Sequence, residues 1–369
     1  MGNLNLKIKT ERFKNALYLE SGRILEPFDL VYETYGTLNE AKDNAIVVCH
    51  ALSASHHAAG YYENDKKAGW WDALIGSAKP IDTDRFFVIC ANAIGSCYGS
   101  TGPTSSAYPR LEPYRFKFPV ITVKDMVKAE RLLIDRLGIS SIYAAIGGSM
   151  GGMRALHFAV DYPALVKRVI AMATTHATSP WAIAFNKVAM ESVINDPAFE
   201  NGAYDIEALK ERGLKGAAIG RMAGHISFLS PESMNRKFGR DFVGTEGLFD
   251  LFGRFQVERY LDYNGGNFPK WFDPLSFLYI VKAINIYDLS RGYDSLESAL
   301  SRVKSRLHLF GFDRDLLFLP QEMKEIDLTM KKIGKGELSR YYHIQSDYGH
   351  DAFLVEIDKF ADTIADILR

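Results

Sequence analysis

The sequence predicts an α/β fold, a mostly parallel, doubly wound sheet with a helical lid inserted between two of its strands. Three observations carry this. Strand-like and helix-like segments alternate from residue 45 to 172, a run from 176 to 292 has little strand signal, and strand signal returns at Arg306. The sheet-bearing core is therefore expected over 1–175 and 293–369, and the lid over 176–292, where segments such as DIEALKERGLKGAAIGRMAGHISFL and FLYIVKAINIYDL read as helix or loop.

In chain order, residues 17–36 read as antiparallel strands split by glycine and proline turns. The parallel alternation follows, with strands at Ala45 to Cys49 and Arg85 to Ala91 and a helix from Val123 to Leu137. A strand at Ser141 to Ile146, a helix from Met150 to Val160 and a strand at Lys167 to Met172 complete it. Beyond the lid come a strand at Arg306 to Phe310, a helix from Gln321 to Lys332, a strand from Arg340 to Ser346 and an amphipathic helix starting near Phe353.

The segment SIYAAIGGSMGGMRALHFAVDYP holds the chemistry. A GxSxG pattern alone is weak, because 30 glycines in 369 residues make it common by chance. Here, however, Ser149 sits at the junction of a buried strand and a helix, where a tight turn lifts a serine out at the top of a sheet. Gly147 and Gly151 are needed because a Cβ at either position would strike the adjacent strand or helix. At a helix N-terminus, backbone N–H groups stand ready to stabilise a developing oxyanion.

A nucleophilic serine needs a base and an acid, and both follow. His350 lies in the loop after the strand at 340–346, facing the same sheet edge as Ser149. The loop after the strand at 306–310 offers two carboxylates, Asp313 and Asp315. The order serine, aspartate, histidine, each after a strand, is that of the α/β-hydrolase fold. In that fold the loop after an earlier strand supplies one oxyanion N–H and the residue after the nucleophile the other. Within His50-Ala51-Leu52-Ser53, those donors are Leu52, to within a residue, and Met150.

Composition excludes several alternatives. With 47% hydrophobic and 24% charged residues and a net charge of −1, the chain is an ordinary globular protein with no basic tract for nucleic acid. MGNLNLKIKTERF lacks the apolar centre of a signal peptide, and no run reaches the length of a membrane-spanning helix, so a cytoplasmic location is expected. Cys49 and Cys90 fall in apolar strands and read as buried, reduced thiols. Cys97 lies in a glycine-rich loop and is not expected to be catalytic. His50, His56 and His57 have no carboxylate or cysteine at metal-ligand spacing, so no metal is expected.

Several segments together resemble the homoserine O-acyltransferases of methionine biosynthesis. These are CHALSASHHAAG, GWWDALIGSAKPIDTDRFFVICANAIGSCYGSTGP, GGSMGGMRAL, FN near 185, IGRMAGHISFLSPESMNRKFGR and SDYGHDAFL, and the likeness runs from about residue 20 onward. The resemblance implies that an acyl group passes from acyl-CoA to Ser149 and then to the hydroxyl of L-homoserine. It assigns His350 as base, Asp315 as acid, and Arg221 and Asp351 as homoserine contacts. At the acid the family often has serine where this chain has Arg314, and the chain carries an extra residue, LFLP, before the proline.

Charge agrees with the acceptor contacts, since a zwitterion offers a carboxylate to a guanidinium and an ammonium to a carboxylate. Asp351 also stands where a helix N-cap before AFLVEI would be. Acetyl-CoA is expected as co-substrate with no further cofactor, and a homodimer through the lid helices, with Phe277 to Ile286 as the apolar stretch in support. Competing readings are a succinyl-CoA-dependent transferase and a serine hydrolase of the same fold.

Overall fold

A computed structural model describes residues 6–63, 66–109, 111–244 and 248–369. Eight strands form the main sheet: β1 (Lys9–Phe13), β2 (Phe28–Tyr35), β3 (Ala45–Cys49), β4 (Phe87–Ala91), β5 (Ile142–Gly148), β6 (Arg168–Met172), β7 (Arg306–Phe312) and β8 (Ser339–Ile344). Their spatial order is β1-β2-β4-β3-β5-β6-β7-β8. Only β2 runs against the rest, pairing antiparallel with β1 and β4, while β3 to β8 pair in parallel. The strand order reverses next to β3 and β5, and ligands of open parallel sheets bind outside the strand ends at such a point.

The middle strands are apolar throughout because both faces are covered. In β3, Ala45, Val47 and Cys49 point into one core, and Ile46 and Val48 into the other. The first core is closed by α1 (Val123–Arg136) and α2 (Met150–Asp161). The second takes Trp71, Phe353, Phe360 and Ile364. Helix α1 begins at a capping box, with the Thr122 hydroxyl accepting from Asp125 N–H and the Asp125 carboxylate from Thr122 N–H, each at 3.1 Å.

Between β6 and β7 the chain leaves the sheet. It forms α3 (Pro180–Ile194), α4 (Ile206–Arg212), α5 (Lys215–Phe228), α6 (Pro231–Phe238), α7 (Gln256–Asn267), α8 (Pro274–Asn285) and α9 (Leu296–Ser301) before returning. The two ends of the excursion lie side by side at an antiparallel bridge between Ala177 and Asp288. Helices α3 and α5 pack closely, and a Cβ on Gly216 would lie 1.9 Å from the Ser192 carbonyl oxygen. After β7 come α10 (Pro320–Lys332), then β8, α11 (Ala352–Val355) and α12 (Ala361–Leu368).

Two expectations change and one strand is new. Residues 9–13 form an edge strand. The helix expected to start near Phe353 is broken at Glu356, whose φ of −107° and ψ of 46° end α11 after one turn. The stretch Phe277 to Ile286 offers no dimer surface, because α8 is packed into the core from Phe277 through Val281. Among the described residues, no helix is long and apolar enough to cross a membrane.

Candidate active site

One residue turns the chain from β5 into α2. Ser149 does so at φ 57° and ψ −127°, a left-handed conformation that costs on the order of 1–3 kcal/mol for a non-glycine residue. The surroundings hold it there. Its N–H donates to the Met172 carbonyl on β6 at 3.0 Å, and its carbonyl accepts from Gly152 and Met153 in the first turn of α2. A Cβ on Gly147 would lie 2.5 Å from the Gly151 backbone, and one on Gly151 would lie 2.0 Å from the Cys49 carbonyl oxygen. The two glycines therefore let strand, turn and helix meet, as the sequence predicts. The Ser149 hydroxyl caps nothing in α2 and remains available.

The ring of His350 reaches it. His350 Nε2 lies 3.0 Å from Ser149 Oγ, and Nδ1 lies 2.8 Å from Asp315 Oδ2. All three are nearly sealed from solvent, at 7%, 3% and 1% exposure for Ser149, His350 and Asp315. Phe318 and Phe353 box the imidazole edge-on, with ring centroids 5.4 and 5.7 Å away. Burial pulls the His350 pKa down, but the charge and hydrogen bond of Asp315 and the charge of Asp351 together leave it above the ordinary imidazole value.

Of the two carboxylates in the β7 loop, the structure brings Asp315 to the histidine and turns Asp313 to the surface, where it meets His343 Nε2 at 2.6 Å. The other oxygen of Asp315, Oδ1, accepts from Leu317 and Phe318 N–H, both at 2.9 Å. The longer LFLP segment thus supplies the donors that orient the acid. Arg314 takes a left-handed φ of 60°. Its guanidinium ties the loop to Glu232 on α6 and to Asp347, the latter at 3.0 Å. Arg314 therefore cross-links the acid loop, the helical excursion and the histidine loop.

Leu52 lines the same pocket as Ser149, and Met150 is the first residue of α2. Among the described residues, no protein acceptor takes the backbone N–H of either. Two such donors beside a nucleophile can hold an oxyanion.

The pocket reaches out between the sheet edge and the helical excursion, enclosing ≈ 890 Å³ counted to its open mouth. Phe185 and Asn186 of α3, Arg221 and Gly224 of α5, and Phe277 of α8 face it across from Ser149. Arg221 and Asp351 both line it. Among the described residues, Arg221 makes no ion pair; its guanidinium rests 5.1 Å from the Phe268 ring centroid and 5.3 Å from that of Phe228. Burial holds its pKa below the usual arginine value, opposed by the charge of Asp351.

Asp351 occupies the N-cap position of α11, yet its side chain makes no cap bond, so the carboxylate is not used for capping. Burial raises its pKa, against the pull of His350 and Arg221. The segment that carries it is stitched to the end of α5 by Asp351 N–H donating to the Phe228 carbonyl at 3.2 Å and Ser230 N–H to the Tyr348 carbonyl at 2.9 Å. A guanidinium and a carboxylate, neither in an ion pair among the described residues, thus line one pocket with a serine and a histidine.

The family model for the alpha/beta hydrolase fold matches residues 44–272. A homoserine O-acetyltransferase of Sulfurimonas autotrophica is 64% identical over 367 residues, covering 100% of both chains. The chain belongs to the homoserine O-acetyltransferase family. The crystal structure of a homoserine O-acetyltransferase from Bacillus anthracis superposes with a TM-score of 0.90 at 29% identity, covering 99% of this chain and 98% of that one. The crystal structure of esterase E22 matches almost as well, with a TM-score of 0.88 at 28% identity and 99% and 100% coverage. The scaffold shared with this family therefore also carries an esterase.

Two features of the site escaped sequence reasoning. Phe228 and Phe268 support the Arg221 guanidinium, and nothing in their local sequence marks them as its platform. The histidines of the 50–57 loop separate. His57 Nδ1 lies 3.2 Å from the buried Glu33 carboxylate, while the ring of His50 meets only backbone groups. Cys49 and Cys90 are buried as expected, and burial pushes the partly buried Cys97 thiol up to about 12, far from thiolate character at neutral pH.

Proposed function

We propose that this chain transfers the acetyl group of acetyl-CoA to the side-chain hydroxyl of L-homoserine, through an acetyl-serine at Ser149, as a step in methionine biosynthesis. The observation that carries the reading is the unpaired Arg221 and Asp351 facing one pocket beside the Ser149–His350–Asp315 chain. A hydrolase needs only water as acceptor and has no use for two opposite charges held apart there.

In the first half-reaction His350 Nε2 takes the Ser149 proton as Oγ attacks the thioester carbonyl. Asp315 keeps the hydrogen on Nδ1, so that Nε2 is free to accept. The carbonyl oxygen gains its charge facing the Leu52 and Met150 N–H groups. The C–S bond then breaks, and the imidazolium gives its proton to the departing CoA thiolate. In the second half, homoserine binds with its carboxylate on Arg221 and its ammonium on Asp351. The incoming ammonium favours the ionised form of a carboxyl that burial alone would protonate. His350 takes the homoserine hydroxyl proton, the oxygen attacks the acetyl-serine carbonyl, and the proton returns to Ser149 Oγ as it leaves.

The helical excursion limits water at the serine, which favours transfer over hydrolysis. No further cofactor enters this scheme. A cytoplasmic setting fits three unpaired cysteines. A homodimer through the excursion is supported by Trp181 and Val188 of α3 and Ile219 and Ile226 of α5, all left exposed.

The test is acceptor dependence. Acetyl-CoA should be consumed when homoserine is present and not with buffer alone, and Arg221→Ala should lose roughly thirty- to several-thousand-fold in kcat/KM for homoserine while still releasing CoA in a first turnover. Transfer at the parental rate by Arg221→Ala would return the chain to an ordinary esterase reading.

A further inference from the structure

His50 begins the loop that carries Leu52. Its ring is fully buried and its two nitrogens are both used, on opposite sides. Ala93 N–H donates to Nε2 at 2.9 Å. That bond makes Nε2 the acceptor and leaves Nδ1 to carry the hydrogen, which it donates to the Ala51 carbonyl at 2.8 Å. Burial first, and the nearby Arg154 guanidinium second, hold the imidazole neutral far below its usual pKa.

The Ala51 carbonyl and the Leu52 N–H belong to one peptide group. In a trans peptide they point in opposite directions, and turning that plane turns both. A ring that anchors Ala51 O therefore sets where the Leu52 N–H points. Ala54 N–H adds a second, weaker hold on the same oxygen at 3.1 Å. The histidine is itself clamped, for the buried Arg154 donates to the His50 carbonyl at 3.2 Å and to the Ala91 carbonyl at 3.2 Å, with Glu130 as its counter-charge. Strand β3, the segment after β4 and helix α2 thereby all converge on His50, the first two of these through its chain and ring and the last through its carbonyl.

The geometry points to His50 as a positioning residue that locks the Ala51–Leu52 peptide, through a fixed tautomer, in the orientation that offers the Leu52 N–H to the oxyanion. This rests on the reading of Leu52 as an oxyanion donor. A peptide with its carbonyl toward the nucleophile would instead repel the developing charge, so the lock acts on the transition state and hardly on ground-state binding.

Two substitutions separate the two ring contacts. Asn at position 50 places a donor near the former Nδ1, whereas Gln reaches the Nε2 position with an acceptor for Ala93 but offers nothing to Ala51. Acylation is followed with p-nitrophenyl acetate and with its thiono counterpart, whose sulfur is a poor oxyanion acceptor, and folding is checked by thermal melting. His50→Gln should lose roughly 10- to 100-fold in the acylation rate with KM little changed, and its preference for oxygen over sulfur should shrink. His50→Asn should keep most of both.

Equal damage in the two variants, or a parental rate in His50→Gln, overturns the proposal. A wild-type protein with no preference for oxygen over sulfur would instead sink the Leu52 reading itself. Should His50→Gln fail to fold, the ¹⁵N shifts of the wild-type ring still decide: hydrogen on Nδ1 across pH 5 to 9 is required, and hydrogen on Nε2 or a titrating ring contradicts the lock.

Discussion

Replacing Asp315 by Asn removes one charge and almost no volume, and the structure fixes what the amide must do. Oδ1 of Asp315 accepts two backbone hydrogen bonds, from Leu317 and Phe318, both at 2.9 Å. The Asn amide oxygen has to take that place, because an NH₂ there would face two donors. Its NH₂ is then turned toward His350 Nδ1, where the carboxylate oxygen stood at 2.8 Å. A donor facing Nδ1 stabilises the tautomer with hydrogen on Nε2, and that nitrogen, 3.0 Å from Ser149 Oγ, can no longer take the serine proton.

In the worked serine-protease case a wrong tautomer costs about 10⁴-fold in turnover, equivalent to about 5.5 kcal/mol of barrier. Asp315→Asn should show a loss of that order in the CoA-release burst with acetyl-CoA, with thermal stability near the parent. Asp313→Asn, which only loosens the exposed contact to His343, should stay within about twofold, as surface pairs are worth little. A loss below about tenfold for Asp315→Asn, or a larger loss for Asp313→Asn, would refute this assignment of the acid.

Two pH effects follow from the charges around the site. Serine acylation needs neutral His350, so its rate should rise with pH through a midpoint above the ordinary value of about 6.5. Asp351→Asn, by removing a negative charge that favours the imidazolium, should move that midpoint down, and an unmoved or higher midpoint contradicts the electrostatic account. Glu322, at the start of α10, is pushed up to about 7, by burial first and then by the charges of Asp315 and Glu325, and one of its oxygens is buried without a partner. A carboxyl whose folded pKa lies above its unfolded value stabilises the fold at low pH and loses that contribution as pH rises toward about 7. Glu322→Gln should therefore raise Tm more at pH 8 than at pH 5, and equal shifts at both would show that Glu322 is not held protonated.

The sequence disclosed most where one short segment decides the outcome. Strands β3, β5 and β6 are apolar runs bounded by turn residues, and Ser149 stands between the glycines its turn requires, so sheet centre and nucleophile were both legible. β1 was not, because KTERF has a single apolar residue and is a strand only through its pairing with β2. The choice between Asp313 and Asp315 depends on the left-handed turn at Arg314, whose side chain pairs with Glu232 and Asp347, far away in the chain. The broken helix after Phe353 has a similar cause, since the Ser346 hydroxyl donates to the Glu356 carboxylate at 2.5 Å just where α11 ends. His50 was weighed as a metal ligand on its neighbours in sequence, whereas its partners in space are backbone groups that carry no residue signature.

The central claim is that Ser149 carries the acetyl group and that homoserine, rather than water, removes it. Intact-mass and peptide mass spectrometry after incubation with acetyl-CoA alone test this most directly. The account predicts one acetyl group on the peptide that contains Ser149, absent in Ser149→Ala, persistent in buffer and discharged on addition of homoserine with formation of O-acetylhomoserine. An unmodified serine, or an acetyl-serine lost to water as fast as to homoserine, would contradict it.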